Sequence, residues 1–352
     1  MPKDKLSPRE RWLAVLRHEK PDRVPLDYRA TPEVTEALLR HLGTDLEGMY
    51  ARLHIDRVVH VAPRYVGPPL QPDEDEFGCR YSQVSYGLGV YRECTYHPLA
   101  RYSSVEEIEA HYRWPSPDWW DYSSVACQVE GKEHLPISGG GSEPFLKYCE
   151  LRGLEQAHID LIENPQIVHY CLDKLYALCR IQTQRLYEQL PGKVLWTSVS
   201  EDLGSQEGLL FSPQHIREFF LPHMQRMMAL VHEAGAYVFT HSDGAVREVI
   251  PDLIAIGMDI LDPVQWRCRG MEREALKRDF GGRIVFHGAM DNQQTLAFGS
   301  EEDVRQEVRD NIAILGAGGG YILGPCHNLQ PLTPPELIVA MYDEAYACGW
   351  YG

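Results

Sequence analysis

The chain has 352 residues, of which 51 are acidic and 34 are basic, giving a formal net charge of −17. This balance argues against nucleic acid as a partner and against an anionic membrane surface, because both require a basic face. Hydrophobic residues make up 44% of the chain, which is enough for a large globular core. We therefore expect one domain over residues 1–352.

The location of the protein is predicted from what the sequence lacks. Met1 leads directly into a charged segment without the apolar stretch of a secretory signal, and no apolar run is long enough to span a membrane. The nine cysteines are scattered without a framework spacing, which is typical of reduced thiols. A cytoplasmic protein is expected.

The first predicted elements are two helices and two strands. Ser7 and Pro8 form a helix start, and the apolar residues that follow share one helical face, so this helix should pack on the body of the protein. Residues 23–27 predict a short buried strand, followed by a helix over Val34–Leu42. A second strand is predicted over Asp56–Pro63.

Residues 67–120 have a different composition, rich in Pro, Asp, Gly and Tyr. Cys79–Tyr86 and Val90–Tyr96 predict a β-hairpin around Gly87–Gly89. Because a segment of this length inside a compact domain usually has a function, we interpret it as an insertion that walls one side of an active site. Its tyrosines and tryptophans indicate either an aromatic pocket or plain packing.

Short apolar strands and longer helices then alternate regularly. The predicted strands are Leu135–Gly139, Val194–Val199, Tyr237–His241, Ile260–Leu261, Ile284–His287 and Gly320–Leu323. The predicted helices are Pro165–Leu190, Pro213–Ala234, Ala245–Ile256, Met271–Phe280, Glu301–Leu315 and Pro335–Ala347.

This alternation predicts an α/β fold with a parallel sheet and right-handed crossovers. About eight units favour a closed (β/α)8 TIM barrel, decorated by the N-terminal helix and the hairpin insertion. The first strand is not followed by a GxGxxG fingerprint, which weakens the alternative of an open dinucleotide-binding sheet.

Chemistry in such barrels lies where the strands end. The polar residues at these junctions are Asp27 and Tyr28, Glu201 and Asp202, His241 and Asp243, Asp262, His287 and Asp291, and Cys326, His327 and Asn328. Imidazole, carboxylate and thiolate are zinc ligands, and no close Cys-x-x-Cys pair indicates a structural site. The residues that could form an open catalytic zinc site are His241, Asp243, Cys326 and His327.

Other roles for the same residues remain open. His241 could bind substrate by hydrogen bonds without a metal, and Asp243 could cap the following helix. Cys326 could be an inert buried thiol and His327 an exposed loop residue. His287 could only orient the loop of Asp291, whereas Glu201 and Asp202 could form a solvated turn.

The same stretches carry a resemblance to a known family. Ser7–Arg11 with Pro21–Pro25, Glu201–Gly204, Phe211–Pro213, His241–Gly244, His287–Asp291 and Gly319–Glu336 follow the order found in the uroporphyrinogen decarboxylase superfamily. This resemblance implies a TIM barrel. It also implies one of two chemistries, tetrapyrrole decarboxylation or cobalamin-dependent methyl transfer.

The resemblance is closest to the methyltransferase branch. The decarboxylases hold substrate carboxylates with an RQAGRY motif after the first strand, whereas residues 25–31 here contain one arginine. The methyltransferases hold zinc by His-x-Cys and by a ligand after the last strand. His241 matches the histidine, Asp243 stands at the cysteine position, and His327, next to Cys326, occupies the last-strand position, which gives a harder donor set.

We therefore expect an enzyme that moves a methyl group from a small O- or N-methylated compound to cobalamin on a separate corrinoid protein. The reverse transfer from a methylcorrinoid to an acceptor is also open, and a homodimer is possible in this superfamily. The expected catalytic residues are His241, His327, Glu201 and Asp202, and the expected substrate-binding residues are Asp27, Tyr28, His287, Asp291 and Asn328. The alternatives are uroporphyrinogen decarboxylation and a non-catalytic barrel that binds a corrinoid or another small ligand.

Overall fold

A computed structural model of the protein describes residues 4–352. The strands are β1 (Val59–Val61), β2 (Arg64–Tyr65), β3 (Arg80–Ser85), β4 (Val90–Tyr96), β5 (Trp120–Asp121), β6 (Ile137–Ser142), β7 (Trp196–Val199), β8 (Tyr237–His241), β9 (Ile260–Asp262), β10 (Val285–Met290) and β11 (Tyr321–Pro325).

The helices surround the strands. They are α1 (Pro8–Leu16), α2 (Pro32–Leu42), α3 (Leu46–Arg52), α4 (Val105–His111), α5 (Pro144–Arg152), α6 (Leu154–Glu163), α7 (Pro165–Gln189), α8 (Pro213–His215), α9 (Leu221–Glu233), α10 (Ile250–Ile256), α11 (Arg273–Phe280), α12 (Thr295–Phe298), α13 (Glu301–Ile314) and α14 (Pro335–Cys348).

The main sheet is parallel and curls into a barrel, which confirms the predicted fold class. Seven strands follow the order β1-β6-β7-β8-β9-β10-β11. The extended segment 24–27 takes the eighth position: the Asp27 N–H donates to the Leu323 carbonyl at 2.8 Å, and the Asp56 N–H donates to the Leu26 carbonyl at 2.8 Å. The first predicted strand therefore has the correct place, although only Leu26 forms a ladder bridge, to Leu323.

Helix α1 closes the end of the barrel opposite the strand carboxyl ends. Ser7 and Glu10 form a capping box at its start. Its buried residues Trp12, Val15 and Leu16 pack with the inward-facing residues Leu195, Trp196, Phe239, Ile260, Val285 and Ile322. The predicted packing of this helix on the body is confirmed, and the lumen near these strand starts is filled with side chains.

The hairpin β3–β4 is antiparallel and extends over the predicted residues. Several predicted elements have different bounds, among them the strand expected over 56–63, which is only Val59–Val61. Strand β6 continues through Gly140, Gly141 and Ser142, which we predicted as a loop, because glycine alone readily adopts the φ of +71° and +134° found at Gly140 and Gly141. The helix expected over 213–234 is interrupted by a π-helical turn at 216–220, and that over 245–256 begins only at Ile250 after a 3₁₀ turn. The strand expected over 284–287 instead runs from Val285 to Met290.

A buried ion cluster fixes the N-terminal segment against the barrel. Arg23 Nη1 donates to Asp56 Oδ2 at 2.8 Å, Arg11 also pairs with Asp56, and Arg11 Nε donates to Asp22 Oδ1 at 2.7 Å. The Leu26 N–H donates to the same Asp56 carboxylate at 2.9 Å. This cluster gives a structural reason for the pattern of charges in residues 9–25.

We expect Asp56→Asn to lower the free energy of unfolding by about 3–5 kcal/mol, because two buried guanidinium groups would lose their shared carboxylate. Urea denaturation measures this change. The control is Asp343→Asn, which removes the exposed pair with Arg52 and should cost less than about 1 kcal/mol. Equal effects of the two variants would contradict a stabilising role for the buried cluster.

Candidate active site

A buried network of charged side chains lies beneath the carboxyl ends of the strands. Asp262 accepts from Arg29 Nη2 at 2.6 Å and from Arg29 Nη1 at 3.0 Å. The same carboxylate accepts from His241 Nδ1 at 2.7 Å and from His287 Nδ1 at 2.6 Å. His287 Nε2 lies 3.1 Å from Asp27 Oδ2. Side chains from four positions of the barrel are thus joined through one carboxylate.

The network sets the charge of His241. Burial alone would lower the pKa of His241, but its hydrogen bond to Asp262 and the charges of Asp262, Asp243 and Asp202 raise it to about 9. Burial would likewise raise the pKa of Asp262, yet Arg29 and the neighbouring imidazoles hold it well below its usual range. In the metal-free protein His241 is therefore an imidazolium at neutral pH, and its Nε2 points to the mouth.

His241, Asp243 and His327 come together at this mouth. Each offers one ligand atom, and these atoms lie within 4.8 Å of one another. His241 Nε2 is 3.9 Å from Asp243 Oδ1 and 3.8 Å from Asp202 Oδ1. Ligand atoms of a tetrahedral zinc ion lie about 3.3 Å apart, so small side-chain rotations would close the group on an ion. Two imidazoles and a carboxylate suit an open site for a divalent metal.

The structure does not bring Cys326 into this group. Its side chain is buried, and Sγ donates to the Val264 carbonyl at 3.3 Å. Burial raises the pKa of the Cys326 thiol well above its ordinary value. The geometry therefore supports three of the four predicted metal ligands and gives Cys326 a packing role.

Glu201 has a different environment from the adjacent Asp202. The Glu201 carboxyl accepts from the Phe145 N–H at 3.1 Å and from the Tyr176 hydroxyl at 2.8 Å, at the start of α5. Burial raises its pKa to about 8, although these two hydrogen bonds oppose that shift. We interpret Glu201 as a residue that positions α5, whereas Asp202 remains at the mouth beside His241.

This raised pKa has a consequence for stability. A group whose folded pKa lies above its unfolded value stabilises the protein at low pH, and this stabilisation is lost as the pH rises towards the folded pKa. Between pH 6 and 8 the unfolding free energy should therefore fall by roughly 2 kcal/mol through Glu201. Glu201→Gln should remove this part of the pH dependence in thermal unfolding. An unchanged pH profile in the variant would contradict ionisation of Glu201 in this range.

The remaining predicted substrate-binding residues are dispersed. Tyr28 hydrogen bonds Thr35 at 3.0 Å, and Asn328 is exposed. Asp291 is buried and accepts from Arg267 Nε at 2.6 Å. Asp27 and His287, the other two residues predicted for substrate binding, lie close together. Asp27 lines a cavity in the barrel, and His287 is fully buried next to Asp27.

A cavity of about 570 Å³ extends from the network to the insertion. Its polar lining includes Asp27, Arg29, His60, Glu76, Glu143, Ser200 and His241, and its apolar lining includes Val61, Trp120, Trp196 and Phe239. Glu76 and Trp120 belong to or border the insertion, so this segment does wall one side of the cavity. The volume is within the range of small-molecule sites.

The sequence analysis did not assign Arg29, His60 or Glu143 to the site. Arg29 follows Asp27 by two residues, and this spacing after the first strand could have revealed it. His60 lies between the buried Val59 and Val61, so strand alternation points it inward. Glu143 gave no such signal, because it follows a glycine-rich strand whose end the sequence did not define.

In the part of the chain that the structure describes, no helix has both the length and the apolar character needed to cross a membrane.

The sequence also resembles characterised proteins. The family model of uroporphyrinogen decarboxylase (URO-D) matches residues 122–347. The uroporphyrinogen decarboxylase of Pseudomonas savastanoi pv. phaseolicola is 28% identical over 272 residues, which cover 71% of each chain. That of Thioalkalivibrio sulfidiphilus is 26% identical over 219 residues, covering 60% of this chain and 55% of the relative.

Among solved structures, a methyltransferase from Methanosarcina mazei has a similar fold. Its TM-score is 0.68 at 17% sequence identity, over 97% of this chain and 99% of the other. The shared architecture extends over nearly the whole chain, including the strands that position the network and the mouth.

Proposed function

Since this chain belongs to the uroporphyrinogen decarboxylase family, whose members are enzymes, we propose that it is a methyltransferase that acts on a small methylated donor and passes the methyl group to a corrinoid protein. The observation that carries the proposal is the convergence of His241, Asp243 and His327, of which His241 also lines the cavity of about 570 Å³. The fold shared with the Methanosarcina methyltransferase is consistent with it.

We assign His241, Asp243 and His327 as the residues that would hold a divalent metal, with zinc as the first candidate. When bound, the metal would polarise the heteroatom that leaves the methyl group. Asp262 fixes the ring of His241 through Nδ1, so that Nε2 faces the mouth. Trp120 and Glu76 of the insertion line the cavity on one side of the donor site.

With an O-methyl donor, the methyl group passes from oxygen to cobalt. The carbon–oxygen bond breaks and its electron pair stays on the oxygen, which gains one proton. The methyl carbon receives a new electron pair from reduced cobalt, supplied as a co-substrate by the corrinoid protein. In protein without a metal, the Nε2 proton of His241 would be the proton that the leaving oxygen gains. A metal at Nε2 excludes this route, since a ligand nitrogen must give up its proton.

The test combines the purified protein with a corrinoid protein, a reductant that maintains cobalt(I), and a panel of O- and N-methylated compounds. Loss of the cobalt(I) absorption, dependent on the donor and on this protein, supports the proposal. Failure of every donor class to transfer a methyl group would count decisively against it.

A second candidate is decarboxylation of a tetrapyrrole, which the names of the curated relatives favour. The structure weighs against it, because Arg29, the one arginine of the cavity lining described here, is already held by Asp262 through both terminal nitrogens. Release of coproporphyrinogen from uroporphyrinogen is the direct assay. Turnover in that assay would replace the methyltransferase proposal.

A further inference from the structure

We propose that the cavity selects an uncharged or cationic ligand that presents an O–H or N–H group to Glu143, and that it rejects anionic ligands. This inference rests on the proposed function only in taking the ligand to be the methyl donor. The binding preference itself follows from the residues around the cavity and can be measured without methyl transfer.

Glu143 is a cavity residue whose carboxyl has no partner within residues 4–352. It lines the cavity and is half-buried, yet its side chain forms no hydrogen bond or ion pair there, and it does not cap α5 although it precedes that helix. A carboxylate withdrawn from bulk water in this way gains most from a ligand that supplies a proton donor or a positive charge. Burial and the nearby Asp202 raise its pKa, in agreement with this environment.

The basic groups of the cavity are all engaged. Arg29 forms two hydrogen bonds with Asp262 and lies 3.3 Å from Asp27 through Nε. His241 bonds Asp262 through Nδ1 only, and its Nε2 lies 3.8 Å from Asp202 Oδ1 and 3.9 Å from Asp243 Oδ1. His60 bonds Ser138 at 2.6 Å, and partial desolvation lowers the pKa of its ring. None of the described lining residues is a lysine.

Carboxylates therefore dominate the surroundings of the cavity. Asp27, Glu76 and Glu143 line the cavity. The other carboxylates, which surround His241, are those of Asp202, Asp243 and Asp262. An anionic ligand would lose its hydration and meet a cavity in which Arg29 and His241 already lie against carboxylates, and repulsion between like charges disfavours it further. A cation or a neutral hydrogen-bond donor meets complementary groups at Glu143.

The walls indicate the size and shape of the ligand. Trp120, Trp196 and Phe239 present aromatic surface, and the cavity of about 570 Å³ exceeds what a one-carbon donor would fill. An aromatic ring with a methoxy group fits these dimensions, with its polar substituent directed towards Glu143. The probes below have this form.

The experiment is a calorimetric binding series on the full chain without a corrinoid protein. The probes are anisole, 4-methoxyphenol, 4-methoxybenzylamine and 4-methoxybenzoate, which differ in the charge and donor capacity of one substituent. We expect the phenol or the ammonium compound to bind at least about tenfold more tightly than the benzoate, because a hydrogen bond to a charged group adds that much. If the ammonium compound binds more tightly than the phenol, the ligand forms an ion pair with Glu143. If the phenol binds more tightly than anisole, the ligand donates an uncharged hydrogen bond to Glu143.

Glu143→Gln should reduce this preference about tenfold and leave the affinity for anisole unchanged. The control is Glu155→Gln, which removes the same charge from an exposed position of α6. Benzoate binding as tightly as the other probes, or no measurable binding of any probe, would overturn the inference, and neither result depends on a variant. An unchanged order of affinities in folded Glu143→Gln would overturn the role of Glu143. If the series holds but no methyl transfer occurs, the inference stands and the proposed function fails.

Discussion

Replacing His241 with alanine is expected to reduce methyl transfer by about 10³-fold and to lower the metal content of the purified protein. The side chain connects the candidate metal site with the buried network. Its Nε2 faces Asp243 and Asp202, and its Nδ1 is bonded to Asp262 at 2.7 Å. Its loss removes either a metal ligand or the proton donor to the leaving group, and each contributes on this scale. Elemental analysis and the cobalt(I) assay measure the two effects separately.

The two roles of His241 have opposite pH dependence. A metal must displace the Nε2 proton, and because the pKa of His241 is raised to about 9, metal affinity should increase as the pH rises towards 9. Acid catalysis requires the proton, so that activity should fall over the same interval.

His327→Ala is the matched variant, since His327 belongs to the metal group but not to the Asp262 network. Metal-free wild-type protein with full activity would contradict the metal site.

The fold could be predicted from the sequence because its signals are local. Alternating apolar strands and amphipathic helices specify a parallel barrel without knowledge of any single contact. The helix start at Ser7 and the hairpin over 79–96 depend on neighbouring residues, and both were predicted. A helix was expected after Pro144, where α5 begins, but α6 was missed, since the two helices are joined through a single residue, Gly153.

The mouth was predictable in part, for a physical reason. His241 is the last residue of β8 and His327 follows β11, and parallel strands bring their carboxyl ends to one side. Which of two adjacent residues turns inward is decided by packing. The neighbours Glu201 and Asp202 illustrate this, because one carboxyl bonds the start of α5 while the other faces His241. The same holds for Cys326 and His327.

The network beneath the mouth was not predictable, because it depends on long-range contacts. Arg29 and Asp262 are separated by 233 residues, and only the closed barrel brings the guanidinium onto the carboxylate. In the sequence, Arg29 was noted only as the one arginine of residues 25–31, without a role in the site. In the structure its charge is used within the protein, which changes the electrostatics of the whole cavity.

Asp262→Asn is the second change for which we expect a large effect. The variant keeps the shape of the side chain but removes the charge that balances Arg29, His241 and His287. The pKa of His241 should fall from about 9 towards its ordinary value, because its hydrogen bond to Asp262 and the Asp262 charge are the main contributions that raise it. Methyl transfer should fall about 10- to 100-fold, as expected when the partner of a metal-binding or acid-catalytic imidazole is lost.

The measurement that isolates this role is an NMR titration of the histidine rings beside the activity assay. Loss of a buried ionic partner also destabilises the protein by about 3–5 kcal/mol, so reduced activity alone would not distinguish positioning from instability. Asp56→Asn provides the control, because it removes a buried carboxylate of the same kind at the other end of the barrel. It should destabilise the protein to a similar extent and leave the titration of His241 unchanged. If Asp262→Asn also leaves that titration and the activity unchanged, Asp262 does not set the state of His241, and the charge at the mouth must come from Asp202 and Asp243 alone.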